Sequence, residues 1–318
     1  MRAWQVQRHG EPRDALALVD VDVPEPLPGE LRLRVLATGI GMPDVFMCRG
    51  TYPLTPTLPF TPGQEVCGVD VDTGTRYMGV TSFTRGIGGF GEQTVAPTNS
   101  LFAVPDGLDD AEAAGFWIPH LTAWVGLVVR GAMRPGEWLV VLGASGSSGI
   151  AAVRLGRALG ARVIAVVGGA EKAAFCRSLG AEIAIDHRDV ALTDAIRDAT
   201  GGHGADLVYD PVGGEPGEAA ARALARYGRF LLEGFASGAW PVVDPHLLVR
   251  ANASLVGVFA GGFSQGEVDE IHARLSALVA EGALGGQVTH HASFDDLPSA
   301  LERLADRSAI GKSVLLAP

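Results

Sequence analysis

Along the first hundred residues, apolar and polar positions alternate in short runs. Leu31, Leu33 and Val35 are separated by Arg32 and Arg34, so an extended segment there has one apolar and one charged face. Runs at 1–7 and 15–23 are bounded by Gly and Pro, and further short strands are predicted at 65–71, 77–83 and 92–96. A stretch holding Pro43, Pro53, Pro56, Pro59 and Pro62 reads as turns. The pattern predicts a small β-rich domain.

The period changes at Asp109. Asp109 and Asp110 precede AEAAGF and offer an N-cap. A second helix is predicted over about 121–133, stopped by Pro135-Gly136. Largely apolar strands then alternate with helical segments. The strands are WLVVLG, RVIAVV, EIAID, ADLVYD, GRFLLEG and SLVGVF; the helices are SSGIAAVRLGRALGA, EKAAFCRSLGA, 189–200 and 218–225. Such alternation predicts a parallel, doubly wound α/β sheet. A long helix from about Ser264 and a last β segment, SVLLA, are expected to return to the first domain. The expected division is 1–118, 119–262 and 263–318.

Composition narrows the class. At 318 residues, 47% hydrophobic and 19% charged, the chain can bury a large core and is not globally disordered. Its 25 Lys+Arg against 36 Asp+Glu give a net charge of −11, which argues against nucleic acid or an anionic membrane as partner. Cys48, Cys67 and Cys176 form no C-x-x-C pair, excluding a disulfide scaffold and a four-cysteine zinc site. The segment MRAWQVQRHGEP lacks the apolar stretch of a signal peptide, and the apolar runs fall short of a membrane span, so a cytoplasmic location is expected.

The strongest motif follows WLVVLG. Ala144-Ser145-Gly146-Ser147-Ser148-Gly149 is A-x-G-x-x-G between a buried strand and a helix, at the head of a series of βα units. Gly146 lets backbone approach a pyrophosphate, Gly149 lets helix and strand pack closely, and the helix N-terminus attracts the anion. A nucleophile elbow fails at Ser147, where G-x-S-x-G needs Gly. No Tyr has a Lys four residues later, so a short-chain dehydrogenase pair is absent. The second strand ends Val166-Val167-Gly168-Gly169 without the acid that holds the ribose diol of NAD. Lys172 and His187-Arg188 stand nearby, which suits the 2′-phosphate of NADP, while Glu171 is an awkward neighbour for it.

With these residues the chain resembles the zinc-independent quinone oxidoreductase branch of the medium-chain dehydrogenase/reductases. The resemblance runs in order through LPFTPGQEVCG, HLTAW, VLGASGSSGIAAVRLGRALGARVIAV, ADLVYDPVGG, GRFLLEGFASG, NASLVGVFAG and GKSVLLAP. It implies an α/β protein with a GroES-like β-rich catalytic domain and a Rossmann domain, NADPH as hydride donor, and a quinone or α,β-unsaturated carbonyl as substrate. An enoyl-thioester reductase and an NADPH-binding protein with little turnover remain alternatives. A homodimer through the segment around Ser254–Phe259 is a further implication.

The resemblance also assigns residues. Thr122, Phe235, Ala236, Ser237 and Phe259 fall at the nicotinamide, and Lys312 joins the cofactor set. Gly41, Asp44, His120 and Thr122 form the catalytic set. No metal is expected: zinc relatives carry G-H-E where this chain has Gly63-Gln64-Glu65, and GIGMPD has no Cys. His290 and His291 are adjacent, so on a strand they face opposite sides. Relatives place Asn where Gly41 stands, and many place Tyr where His120 stands. His120 is therefore a candidate proton donor.

Overall fold

The computed structural model describes residues 1–318. Its backbone contacts divide the chain into two units, Met1–Ile118 with Gly285–Pro318, and Pro119–Leu284.

The first unit is built on strand Glu30–Ile40. Along its first half it pairs antiparallel with Gln93–Pro97, and along its second half with Lys312–Leu316. Its other edge takes Glu65–Asp70, and the sheet continues through Arg76–Val80 to Leu101–Ala103. The alternation read in the sequence has its expected outcome: Leu33 and Val35 are buried and Arg34 is exposed. Trp4, Ile40, Met47, Phe60 and Phe90 share a core with Leu297, Leu301 and Leu315, so the C-terminal segment completes the hydrophobic interior of this unit.

The second unit is a six-stranded parallel sheet. The order is Ile183–Asp186, Arg162–Val167, Trp138–Leu142, Ala205–Asp210, Leu224–Leu232, Ser254–Gly257. Numbered within the unit this is 3-2-1-4-5-6, the doubly wound order whose switch point lies between the first and fourth strands. Val140, Leu142, Ile164, Val166, Val208 and Phe230 fill its interior. No helix of the chain is long and apolar enough to cross a membrane.

Several elements depart from the sequence pattern. The proline-rich stretch holds a helix, Met42–Arg49, with Pro43 in its first turn and Gly50 as a left-handed C-cap (φ 70°). Proline is accepted in a first turn because its missing N–H has no helical partner there. The helix expected over 121–133 is an α-helix, Trp117–Trp124, continued as a π-helix, Val125–Arg130, with Gly131 N–H donating to the Gly126 carbonyl. The helix expected at 218–225 runs instead over Gly214–Ala221, because Leu224 already pairs with Ala205 in the sheet. Helices Pro245–Ala251 and Leu297–Ala305 and strand Val288–Ala292 were not anticipated. Finally, the return to the first unit begins at Gly285 and not at 263. Helix Gln265–Ala280, opened by a Ser264–Glu267 capping box, belongs to the second unit.

Candidate active site

Three loops gather at the C-terminal edge of the parallel sheet. The first is the glycine loop. Gly143 adopts φ +57°, and the Gly146 N–H donates to its carbonyl at 2.9 Å. Gly146 is the N-cap of helix Ser147–Ala158 and has no side chain to occupy the first-turn N–H groups. A Cβ on Gly149 would lie 2.4 Å from the Gly143 oxygen and 2.6 Å from Ala144 Cα, so only glycine fits. A Cβ on Gly146 would meet only the Gly143 oxygen, at 3.4 Å. Gly149 thus serves packing, and Gly146 leaves an open approach to the backbone. Ala144 and Ser145, the first residues of the loop, are buried.

The second gathering is Gly168-Gly169 with His187-Arg188. Cβ positions built on these glycines would lie 3.5 Å from His187 Nε2 and 2.7 Å from Arg188 Nη2. The guanidinium therefore lies over the loop where an adenosine ribose is held in this fold. Arg188 is itself paired to both carboxylate oxygens of Asp186, at 3.1 and 3.0 Å. That pairing, with bonds from the Gly169 and Arg188 N–H groups, holds the Asp186 carboxyl below its ordinary range. Lys172 lies in the first turn of helix Ala170–Ser178 and is half-buried.

The third is the loop after Ala205–Asp210 joined to the loop after Leu224–Leu232. Ala236 N–H donates to the Pro211 carbonyl at 3.0 Å, and Ser237 N–H to Val212 at 2.8 Å. The rings of Phe235 and Trp240 are 4.9 Å apart. A Cβ on Gly143 would meet Val212 at 2.8 Å, so this pair of loops abuts the glycine loop at the switch point. The residues fit a dinucleotide: a glycine cradle, a cation over the second βα turn and a half-buried third loop stand along one edge.

Not every expected residue takes part. Phe259 is 73% exposed, beyond the sixth strand. Lys312 lies in the other unit, its ammonium 2.9 Å from Glu65 Oε2 and its side chain 4% exposed, so it is not free to meet a ligand. His120 is wholly buried. Thr122 is half-buried two residues further on, in the same helix.

In the first unit, Gly41 and Asp44 stand together. Asp44 is buried; its Oδ2 accepts from Gly41 N–H at 2.9 Å and its Oδ1 from Gly63 N–H at 3.1 Å. Burial pushes its carboxyl up to about 7 against those two bonds and the nearby Lys312 charge. Asp44 ties the helix start to the Gly63-Gln64-Glu65 strand end and positions them. Next to it is a residue the sequence reading passed over. Burial raises the Tyr52 phenol above its ordinary value, against the neighbouring Gln64 side chain, so it stays protonated. Its signal was a lone tyrosine within the proline-rich stretch. No three His, Cys, Asp or Glu side chains converge to hold a metal ion.

Comparison with known proteins agrees with this architecture. The family described as zinc-binding dehydrogenase matches residues 149–277. A quinone oxidoreductase-like protein 2 homolog from Nematostella vectensis is 30% identical over 300 residues, covering 90% of this chain and 81% of the relative. The chain belongs to the quinone oxidoreductase branch of the medium-chain dehydrogenase/reductase family. Solved members superpose closely. A mycobacterial protein complexed with NADPH gives a TM-score of 0.91 at 30% identity, with 99% of each chain covered. The quinone oxidoreductase of Thermus thermophilus, also solved with NADPH, gives 0.86 at 34% identity, covering 99% of this chain and all of that one. The fold is the GroES-like plus Rossmann α/β architecture of these oxidoreductases.

Proposed function

We propose that this chain is an NADPH-dependent, zinc-free reductase of quinones or α,β-unsaturated carbonyls. The observation that carries the cofactor is Arg188 over Gly168-Gly169, beside a glycine loop at the switch point and a second strand without a terminal acid. The two solved relatives named above are NADPH complexes, which supports it. Ser145 to Gly149 would hold the pyrophosphate, His187, Arg188 and Lys172 the 2′-phosphate side, and Phe235 to Ser237 with Thr122 the nicotinamide.

Bound NADPH supplies a hydride to the quinone ring or to the β-carbon of the enone. The chain must then steady the oxygen on which negative charge develops and deliver one proton. Tyr52 is the donor suited to this, because burial keeps its phenol protonated. Gly41 contributes a backbone only, and its N–H is already given to Asp44. A quinone or enone is already activated and needs no Lewis acid, whereas alcohol oxidation would. The Gly63-Gln64-Glu65 triplet supports the zinc-free reading, since an amide is a poor zinc ligand beside imidazole.

The homodimer would form through strand Ser254–Gly257. It is one of the two edges of the six-stranded sheet, and Val249 (74% exposed), Leu255 and Phe259 give it apolar surface. The three unpaired cysteines suit a cytoplasmic location.

Steady-state NADPH oxidation over a quinone, an enone and an enoyl-CoA tests the assignment, alongside elemental analysis of tag-free protein. Turnover of the first two with far less than one zinc per chain is expected. Preference for the thioester would move the chain to the enoyl reductases. One tightly held zinc, lost together with activity, would sink the zinc-free mechanism.

A further inference from the structure

Behind the glycine loop, two carboxyl groups stand side by side. Asp210 closes strand Ala205–Asp210, and Glu233 follows strand Leu224–Leu232; the Glu233 N–H donates to the Asp210 carbonyl at 3.1 Å. Asp210 is fully buried. Its Oδ1 accepts from the N–H groups of Val212 and Gly213, at 2.9 and 2.8 Å, and its Oδ2 has no partner. A Cβ on Gly217 would come within 2.5 Å of that Oδ2, so helix backbone seals it. Glu233 faces Ser148, the second residue of helix Ser147–Ala158, whose hydroxyl favours its ionised form. Ser148 Oγ is also 2.7 Å from the Tyr209 phenol oxygen. Glu233 as a residue keeps some exposed surface, but its Oε2 is closed off from water and unpartnered.

The groups that act on Glu233 are Asp210, Tyr209 and Ser148, and none is a cation. Two carboxylates without a counter-ion cannot both stay ionised in such a place. Burial first, then the Asp210 charge, pushes Glu233 up to about 7, and burial raises Asp210 as well. A cofactor carrying pyrophosphate brings further negative charge to the loop that Ser148 belongs to.

We propose that Glu233 is a positioning residue of the glycine loop, taking a proton from solvent when the anionic dinucleotide binds and so relieving the negative charge beside Ser148. This rests on the cofactor reading given under Proposed function. The bond formed is O–H on Glu233, and no electron is transferred. By linkage, affinity falls as pH rises through the titration of Glu233. In the free protein the raised carboxyl adds stability that is complete in acid and is lost as pH rises through about 7.

The test is calorimetric titration of NADPH into the full chain, in buffers of different ionisation enthalpy, from about pH 6 to about pH 8.5. Wild type should take up a substantial fraction of a proton near neutrality, and its Kd should weaken several-fold toward alkaline pH. Glu233→Gln should bind with little uptake and a flatter Kd; any proton taken by the cofactor's own phosphate is common to both proteins. Asp210→Asn should move the uptake to lower pH. Equal uptake in wild type and Glu233→Gln overturns the proposal, as does a wild-type Kd that does not change with pH. A second readout needs no cofactor: in urea unfolding, Glu233→Gln should gain on wild type as pH rises from about 6 to about 8. A parallel pH dependence of the two overturns the proposal. If NADPH fails to bind while this difference persists, the cofactor reading fails and the buried acid does not.

Discussion

Lys312 Nζ lies 2.9 Å from Glu65 Oε2 inside the β-rich unit, with the two side chains 4% and 3% exposed. Glu65 Oε1 accepts from the Ile118 N–H at 2.8 Å, so the pair joins the last strand, the Gly63-Gln64-Glu65 segment and the end of the first segment of this unit. Gly39 and Gly115 make room for it. A Cβ on Gly39 would meet Lys312 Nζ at 2.9 Å and Glu65 Oε2 at 2.7 Å, and one on Gly115 would meet the lysine stem at 2.8 Å.

Removing one partner of a buried pair strands the other charge. Lys312→Met should cost about 3–5 kcal/mol in urea unfolding, and Lys312→Met with Glu65→Gln should recover much of it, because the amide still accepts from Ile118. If Lys312→Met were as stable as wild type but lost NADPH binding, Lys312 would return to the cofactor set.

The two loop glycines should separate. Gly149→Ala forces backbone apart at 2.4 and 2.6 Å and should lower stability by about 1–3 kcal/mol. Gly146→Ala meets only one atom at 3.4 Å, so it should fold normally and lose NADPH affinity, since its methyl enters the approach to the backbone. Thermal melts and nicotinamide fluorescence titrations read both. Normal cofactor binding by Gly146→Ala would place the pyrophosphate elsewhere.

Arg188 should set cofactor choice. Arg188→Ala should weaken NADPH roughly tenfold or more, at low salt, and leave NADH nearly unchanged. Lys172→Ala should do less, because Lys172 lies on the helix and Arg188 lies over the loop itself. An unaltered preference in Arg188→Ala would discard the 2′-phosphate assignment.

Tyr52→Phe should cut kcat for an enone by about a hundredfold or more with a smaller change in KM, as expected for a lost proton donor. Gly41→Asn is the complementary gain. Gly41 has φ −142° and ψ 164°, an extended backbone open to any residue, and its nearest obstacle is Pro43 Cδ at 3.3 Å. The added amide should raise turnover through the transition state. A rise in KM alone, or full activity in Tyr52→Phe, would move proton delivery to water.

The sequence alone determined the parallel sheet, its glycine loop and the change of period near Asp109. These are local signals: apolar runs such as WLVVL mark strands buried on both faces, and Asp109 caps its helix through the Glu112 N–H, as its residue type allows. It also placed Gly146, Gly149, His187 and Arg188, because a βα turn fixes its residues within a few positions of its strand. Tertiary structure decided the rest. Pro43 read as a turn, yet it opens a helix whose next residue, Asp44, is held by Gly41 and Gly63, nineteen positions apart from Asp44 in the second case. The resemblance set Lys312 with the cofactor residues, and only the fold shows it against Glu65, 247 positions away. His120 carries no sign in sequence of the packing that buries it. Glu233 carries no local sign that it lies beside Asp210, to whose carbonyl its N–H donates. A charge in sequence carries no record of its dielectric or of its partner, and both are settled only when distant strands meet.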